Sequence, residues 1–321
     1  MDLVLKGASG DDIMVISPDA ADFSWGDGDN DFELTFEDGA RAPAMPKCGF
    51  VYAHGTEYGG MLTRARASDG SVKWSGPTWT GLLAGKVLVP DAGQSRLTVS
   101  GEANAVLDKL IDRMGLGDAM AAASEPSGIG ISRYAFDLYA DGYTGILAML
   151  ASVGAKLRVR HDGRRAVLSA LPVRDWSSDE GFDSSLVEVD VDVDSWCVNH
   201  LVARGGEEGK DRIAVELYMD ESGGVSERQT LKGVREHSEY YNYTTADRSK
   251  LVEDGTKRLR DYYGKAMTVS VRLSADDDRF DIGDKVGGSD PRTGISATAT
   301  VSSKVLTVDA CGAARVSYET T

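Results

Sequence analysis

Trp25-Gly26-Asp27-Gly28-Asp29-Asn30-Asp31-Phe32-Glu33-Leu34-Thr35-Phe36 is the stretch on which the fold class turns. Its first half is turn chemistry: two glycines free to take left-handed backbone, among acidic and amide side chains that bond their own backbone. Its second half alternates. Phe32, Leu34 and Phe36 share one face of an extended segment while Glu33 and Thr35 share the other, the period-two pattern of a strand with one side in a core. Glu37-Asp38-Gly39 ends it. The same grammar continues on both sides. Ile13–Ile16 is an apolar run closed by Ser17-Pro18, and Cys48–His54, Gly60–Arg66 and Ser71–Trp74 read as further strands. Asp69-Gly70 joins the last two as a hairpin turn. Glycine supplies 37 of 321 residues, about 12% against a usual ~7%, while proline supplies only 8. Many tight turns without proline-rich linkers point to a β-rich chain.

Further along, the period changes. Leu82, Leu83 and Val87 suit one or two helical turns ended by Pro90. A longer helix spans Glu102 to Met114, with Ser100 as its cap, Val106, Leu107, Leu110, Ile111 and Met114 as its apolar stripe, and Gly115 and Gly117 as its stop. The small-residue stretch Ala119–Gly130 reads as a loop. Tyr143–Ser152 reads as a second helix, capped at Thr144 and stopped at Gly154. Lys156–Ala170 is a hairpin turned at His161-Asp162-Gly163-Arg164, in which Leu157 and Val159 alternate with outward Lys156, Arg158 and Arg160. The polar run Asp175–Ser185 marks a candidate domain boundary. Beyond it Val187, Val189, Val191 and Val193 alternate with Glu188, Asp190, Asp192 and Asp194, a half-buried strand showing a row of carboxylates. Strands follow at His200–Arg204 and Ile213–Met219. A third helix covers Thr245–Tyr263 with Leu251, Val252, Gly255 and Leu259 inward, and closing strands lie at Met267–Leu273, Val286, Ala297–Val308 and Ala314–Tyr318. No fixed-period repeat is present. The class is α+β, mostly β, and the length suits two domains of ordinary size.

Charge narrows the function. Thirty-five basic against 51 acidic residues leave −16, a balance that repels phosphate backbones and anionic membrane surfaces and favours solubility. Cys48, Cys197 and Cys311 lie far apart, which fits a reducing cytosol better than a disulfide framework. The amino terminus carries no signal-peptide pattern and no apolar run reaches membrane-spanning length, so synthesis in the cytosol with no membrane anchor is the expectation.

Catalytic and metal motifs fail one after another. Asp27, Asp29 and Asp31 have the first three spacings of a calcium loop. Phe32 stands where that loop needs glycine, though, and Asp38 where it needs a bidentate glutamate, so an acidic turn is the reading. His54, His161, His200 and His237 are scattered without ligand spacing, His161 lying in a turn. No nucleophile elbow exists. Ser127-Gly128-Ile129-Gly130 is too short for a phosphate fingerprint, and Gly205–Lys210 carries two glutamates where a phosphate loop cannot. Acid clusters such as Asp276-Asp277-Asp278 and Glu207-Glu208 read as solvated charge, and Tyr240-Tyr241-Asn242-Tyr243 as an interface anchor or a strand. No catalytic, cofactor-binding or metal residue is assigned.

Several fragments, in order, resemble the tail hub proteins of siphophages, a family related to the baseplate hubs of contractile phages. Asp31-Phe32-Glu33-Leu34 after a tryptophan and a glycine-acidic turn is similar to their amino-terminal signature. Val72-Lys73-Trp74-Ser75-Gly76-Pro77 after an Asp-Gly turn, Gly81-Leu82-Leu83, and Lys86-Val87-Leu88-Val89-Pro90 continue it. Near the other end, Arg279-Phe280-Asp281-Ile282-Gly283-Asp284-Lys285-Val286 resembles the family's Gly-Asp strand entry, and Thr293-Gly294-Ile295, Val301–Val308 and Arg315–Tyr318 its closing hairpin. Thr78-Trp79-Thr80 and the acidic strand have no counterpart. The residues that carry the resemblance are Phe32, Leu34, Trp74, Gly76, Leu82, Leu83, Pro90, Phe280, Gly283 and Asp284, all in structural roles.

The resemblance implies two tube-like β-barrel domains with smaller α+β insertions. Residues 1–90 would form an N-terminal barrel, 91–175 an α+β domain with helices and a hairpin, 176–246 the first part of a second barrel, and 247–321 a helix plus closing strands. It implies a homotrimer whose paired barrels make a pseudo-sixfold ring, joining the tail tube to the tip of a bacteriophage or prophage tail. DNA passes through that ring without specific binding. The partners implied are a tail tube or distal tail protein and tip or fibre proteins. The location is the virion tail, after synthesis in the host bacterial cytoplasm, with no cofactor and no enzymatic activity. Two other classes stay open on the residues. A tail-associated cell-wall hydrolase requires a deep cleft with paired, pKa-shifted carboxylates. A carbohydrate-binding host-recognition module requires a shallow groove floored by exposed Trp or Tyr.

Overall fold

Alternating and amphipathic segments bury one face each, and here they do so in two units. One comprises Met1–Glu188, Val271–Ser289 and Ser296–Thr321; the other comprises Val189–Ser270 and Asp290–Ile295. The computed structural model describes residues 1–178, 187–194, 196–205, 213–243, 247–275, 279–289 and 296–321. In chain order the strands β1 to β8 are Leu3–Lys6, Asp12–Ile16, Ala20–Gly26, Asp31–Phe36, Phe50–Tyr52, Gly59–Met61, Arg64–Ser68 and Ser71–Pro77. Helix α1 is Trp79–Ala84, β9 Thr98–Glu102, α2 Ala103–Met114, β10 Met120–Ala122, β11 Gly130–Ala135, α3 Gly142–Ala151, β12 Ala155–His161 and β13 Ala166–Pro172. Strands β14 to β18 are Val187–Val193, His200–Gly205, Ile213–Met219, Val225–Ser226 and Ser238–Tyr243. Helix α4 is Arg248–Ala266, and β19 to β22 are Met267–Ala275, Lys285–Ser289, Ser296–Val308 and Ala314–Thr320. No helix among the described residues is long and apolar enough to cross a membrane.

In the larger unit, β4 pairs as its alternation dictates. Leu34 lies opposite Trp74 of β8 and Ala21 of β3, and Phe32 opposite Gly76 and Phe23. The sheet runs β19-β22-β21-β3-β4-β8-β7, with β20 beside β21. The last long strand therefore returns to the first residues, Leu306 opposite Phe23 and Val308 opposite Ala21. Phe23, Phe32, Phe36 and Trp74 are all buried in it. A second sheet has the order β2-β1-β5-β6. Beside these, α2 and α3 share one core with the sheet β10-β13-β12, built on Val106, Leu107, Leu110, Ile111, Met114, Ile146, Met149 and Leu168. None of these sheets closes on itself among the described residues.

The smaller unit is a sheet, β17-β16-β15-β18, packed against α4. Leu201, Ala203, Val215, Leu217, Leu251 and Leu259 form its core. Gly255 is the point of contact on α4: a methyl group there would stand 2.6 Å from Leu217 Cδ1.

Several local expectations need correction. Glu102, not Ser100, caps α2, its Oε2 accepting from Ala105 N at 3.0 Å; Ser100 is committed to β9. Asp141, not Thr144, caps α3, because a carboxylate one turn earlier reaches the free Thr144 N at 2.9 Å. Helix α1 ends at Ala84, short of Val87, and of the expected apolar trio only Leu83 is buried; Leu82 is partly covered and Val87 is exposed. Met120–Ala122 is a parallel strand on β13 and not loop, since small residues accept a backbone partner that only the fold supplies. α4 runs to Ala266, three residues past the Tyr263 its periodicity suggests, while its expected start at Thr245 lies outside the described residues. Lys156 is buried, not outward, and His161 is a core residue stacked on Tyr52 at 3.7 Å. Tyr240–Tyr243 is strand. The side chains of Val187–Val193 and the acid clusters at 207–208 and 276–278 lie outside the described residues.

Candidate functional site

The residues that carry the resemblance occupy places that hold the larger unit together. Phe32, Leu34, Trp74, Leu83 and Phe280 are fully buried, Leu82 and Pro90 partly so. Phe32 stacks on Phe23 at 5.5 Å, and Trp74 meets Phe36 edge-on at 5.0 Å. Gly76 is there because two backbones cross: a methyl on it would sit 1.9 Å from Met61 O.

Gly283 and Asp284 belong to a buried ionic network that sequence reading does not foresee. Asp284 is completely enclosed. Its carboxylate accepts from Lys156 Nζ at 2.7 Å, Arg174 N at 3.0 Å, Asp281 N at 3.1 Å and Trp176 Nε1 at 3.3 Å. Lys156 Nζ also reaches Asp281 Oδ2 at 2.9 Å. Arg160 lies 3.7 Å from Asp281 and 3.4 Å from Glu57, and Lys304 Nζ closes the chain of charges on Glu57 at 2.6 Å. Gly283 turns with φ +94, and Lys156 Cβ would stand only 3.1 Å from a methyl there. Three cations face three carboxylates, so the charges balance, and the six members come from four separate parts of the chain: β12, the segment before β6, the turn before β20, and β21. Phe280 seals one side against Trp176 at 5.1 Å and Tyr318 at 5.5 Å. Such a network fixes geometry; its carboxylates are occupied by donors and not presented to a substrate. Arg160, Glu57, Lys304 and Trp176 carry no local signal, because a charged residue in a hairpin reads as solvated until its partners arrive from elsewhere.

Two carboxylates elsewhere in this unit are held down by their surroundings. Burial pushes Glu102 up, but hydrogen bonds from Ser127 and from the Ala105 and Asn104 backbone carry it below its ordinary value. At Asp162 burial likewise opposes the Arg165 and Arg164 amides, and the amides prevail. Asp31 is raised, by burial first and then by Asp29, Asp22 and Glu33. The Asp27–Asp31 turn is organised by Asn30, whose Nδ2 donates to Gly26 O at 2.9 Å and whose Oδ1 accepts from Thr80 at 2.8 Å. Among the described residues, no group of three or more His, Cys, Asp or Glu side chains could hold a metal ion.

The smaller unit has a groove of about 570 Å³ bordered by Trp196, Tyr263, Val234 and Arg235. Trp196 is 58% exposed and stacked on His237 at 4.4 Å.

No family model and no curated protein matches the chain. Solved structures do. The fold is similar to that of the 43 kDa tail protein of prophage MuSo2 from Shewanella oneidensis, with a TM-score of 0.52 at 11% identity, covering 99% of this chain and 95% of that one. It is also similar to prophage tail protein gp18 from Listeria monocytogenes EGD-e, with a TM-score of 0.50 at 12% identity, covering 99% of this chain and 94% of that one. Across almost its whole length, then, the chain shares its fold with prophage tail proteins.

Proposed function

We propose that the chain is a structural component of a bacteriophage or prophage tail, a hub at the junction of tail tube and tip. Three copies close around a channel through which DNA passes, and the chain performs no catalysis. The likeness of fold to prophage tail proteins over 99% of the chain carries this reading. In it, each copy carries two tube-like barrels, and three copies make a pseudo-sixfold ring. Residues 1–90 and 176–246 contribute the barrel walls, 91–175 the α+β insertion, and 247–321 the helix and closing strands. The partners are a tail tube or distal tail protein on one side and tip or fibre proteins on the other. Synthesis is in the host bacterial cytoplasm and the working location is the virion tail.

Two features support it. A net charge of −16 suits a conduit wall, since duplex DNA gains no counterion release from an acidic surface and slides past it. Strands β2 and β7 each stand at the end of a sheet with one neighbour among the described residues, and edges of that kind need covering in an assembly. Light scattering and negative-stain imaging of the purified chain test the proposal. Particles of three copies around a central hole are expected; assembled particles without a hole, or hydrolysis of bacterial cell wall by the purified chain, overturn it.

One observation favours a second reading, a carbohydrate-binding host-recognition module: Trp196 offers an exposed, pre-stacked ring beside the polar groups of the groove in the smaller unit.

A further inference from the structure

Three lysines are buried in the described chain, and two of them are matched. Lys156 and Lys304 each donate to a carboxylate, at 2.7 and 2.6 Å. Lys6 is different. Its Nζ donates to two carbonyl oxygens, Gly163 O at 3.1 Å and Arg164 O at 3.0 Å. Its nearest carboxylate, Asp12, stands back at 3.7 Å, is itself 55% exposed, and already accepts from Tyr52 Oη. The positive charge of Lys6 is therefore only loosely compensated, in a chain whose overall balance is strongly negative.

Lys6 lines a cavity of about 720 Å³ in the larger unit, together with Trp79, His161, Arg164 and Arg165. That volume lies within the range of small-ligand pockets. Two donors in its wall are left over. Trp79 is buried and its Nε1–H has no partner. His161 is buried too, and its Nδ1 accepts from Gly163 N at 3.0 Å, which places the proton of the neutral ring on Nε2. That Nε2–H finds no acceptor among the described residues. Burial and the nearby Lys6 keep the ring neutral, with its pKa down at about 4. The two rings are held rigidly, stacked 5.3 Å apart with Tyr52 on the other side of His161.

Arg164 and Arg165 add charge at the same wall. Among the described residues neither is in an ion pair; Arg165 donates to Gly117 O at 3.0 Å. Asp162, which precedes them in the turn, accepts through Oδ1 from both of their amide groups at 2.7 Å. Asp118 is the one acidic side chain that also borders the cavity.

Buried donors without acceptors are costly and are ordinarily satisfied. A cavity whose wall offers the unpaired His161 N–H, one under-compensated ammonium and two guanidinium groups, beside the enclosed indole of Trp79, lacks one thing, an acceptor with negative charge. We propose that this cavity binds a small oxyanion, a phosphate or carboxylate group, held by His161 Nε2 with Lys6, Arg164 and Arg165 supplying the charge, and with the Trp79 indole close enough to report it. The proposal goes beyond the tail reading and does not depend on it: the cavity lies within one unit of one chain.

The test is a titration of the ¹⁵N-labelled full chain with sodium phosphate and, separately, sodium acetate, against sodium chloride at matched ionic strength. The indole N–H resonances are followed, with Trp79 identified by its loss in Trp79→Phe. The Trp79 signal is expected to move and saturate, with a half-point in the millimolar range in the wild type and about tenfold higher in Arg164→Gln. Phosphate and acetate arms separate the two acceptor chemistries. The Trp25 and Trp74 signals, in another core of the same unit, report that each variant is folded. A signal that moves equally with chloride, that does not saturate, or that behaves identically in Arg164→Gln overturns the proposal. Should Arg164→Gln disturb Trp25 and Trp74, Arg165→Gln serves in its place, and a half-point there unchanged from the wild type is the overturning result.

Discussion

Lys156 Nζ donates to Asp284 Oδ1 at 2.7 Å, and the carboxylate is wholly enclosed. The pair joins β12 to the turn before β20, 128 positions apart in the chain. Around it every other acceptor position of the carboxylate is filled, by the Arg174 and Asp281 amides and the Trp176 indole. Removing one member strands the others. Asp284→Ala is expected to lower unfolding free energy by about 3–5 kcal/mol, the usual cost of leaving a buried charge unpaired. A Lys156→Met, Asp284→Leu double variant should lose less than the sum of the singles, as read by urea denaturation. Additive losses would show that the pair is not coupled.

Gly76 sits where β8 crosses β6. An alanine methyl there would lie 1.9 Å from Met61 O, a backbone atom that cannot swing aside. Gly76→Ala should therefore cost about 1–3 kcal/mol or more, the scale of overpacking in a filled site. Gly10→Ala is the control, with φ +87 but nothing within 4 Å; it should lose about 1 kcal/mol from backbone strain alone. Thermal melts of the two variants side by side decide it.

His161 makes stability depend on pH. Burial first, then Lys6 and His54, lower its pKa from 6.5 to about 4, against the opposing pull of Asp162 and Asp12. The unfolded chain takes up the proton at the ordinary value and the folded chain does not. The contribution is thus fully present above pH 6.5 and is lost as pH falls toward 4, in all about 3 kcal/mol. Urea midpoints measured at intervals across that window should fall more steeply for the wild type than for His161→Phe. Parallel curves would assign the acid sensitivity to other groups.

Strand β2 exposes Ile13, Met14 and Val15 in succession at the end of its sheet, 54%, 46% and 60% accessible. In the tail reading another copy covers them. Met14→Lys should leave the melting temperature of the chain within a few degrees and weaken its self-association by tenfold or more in light scattering. An unchanged association constant would place the seam elsewhere.

Trp196 separates the tail-hub reading from the carbohydrate one. Isothermal titration with soluble fragments of bacterial cell-wall polysaccharide should show no heat of binding if the groove serves assembly. Saturable binding that Trp196→Ala abolishes would instead establish a sugar site.

Much of the core was legible before any coordinates. Phe32, Leu34 and Phe36 point where period two says, and the stripe Val106, Leu107, Leu110, Ile111 and Met114 is buried as period 3.6 says. Caps were less legible, since Glu102 and Asp141 reach their amides through side-chain geometry that neighbouring Ser100 and Thr144 mimic in composition alone. Lys156 and His161 were misread for one reason. A polar residue in a hairpin is solvated unless something distant covers it, and the cover here comes from Asp281 and Asp284 in one case and from Tyr52 and Trp79 in the other.

What the amino-acid order settled alone is therefore local: which segments extend or coil, which faces are apolar, and an acidic balance poorly suited to gripping nucleic acid. These follow from side-chain period and from charge, which act over a few residues or over the whole chain at once. Tertiary structure alone decided that β21 lies against β3, that Lys156 has two carboxylates for partners, and that Trp79 and His161 line one cavity with Lys6. Pairings of that kind depend on where remote backbones arrive, and hydrogen bonds and ion pairs reach only a few ångströms, so no pattern within a segment can announce them.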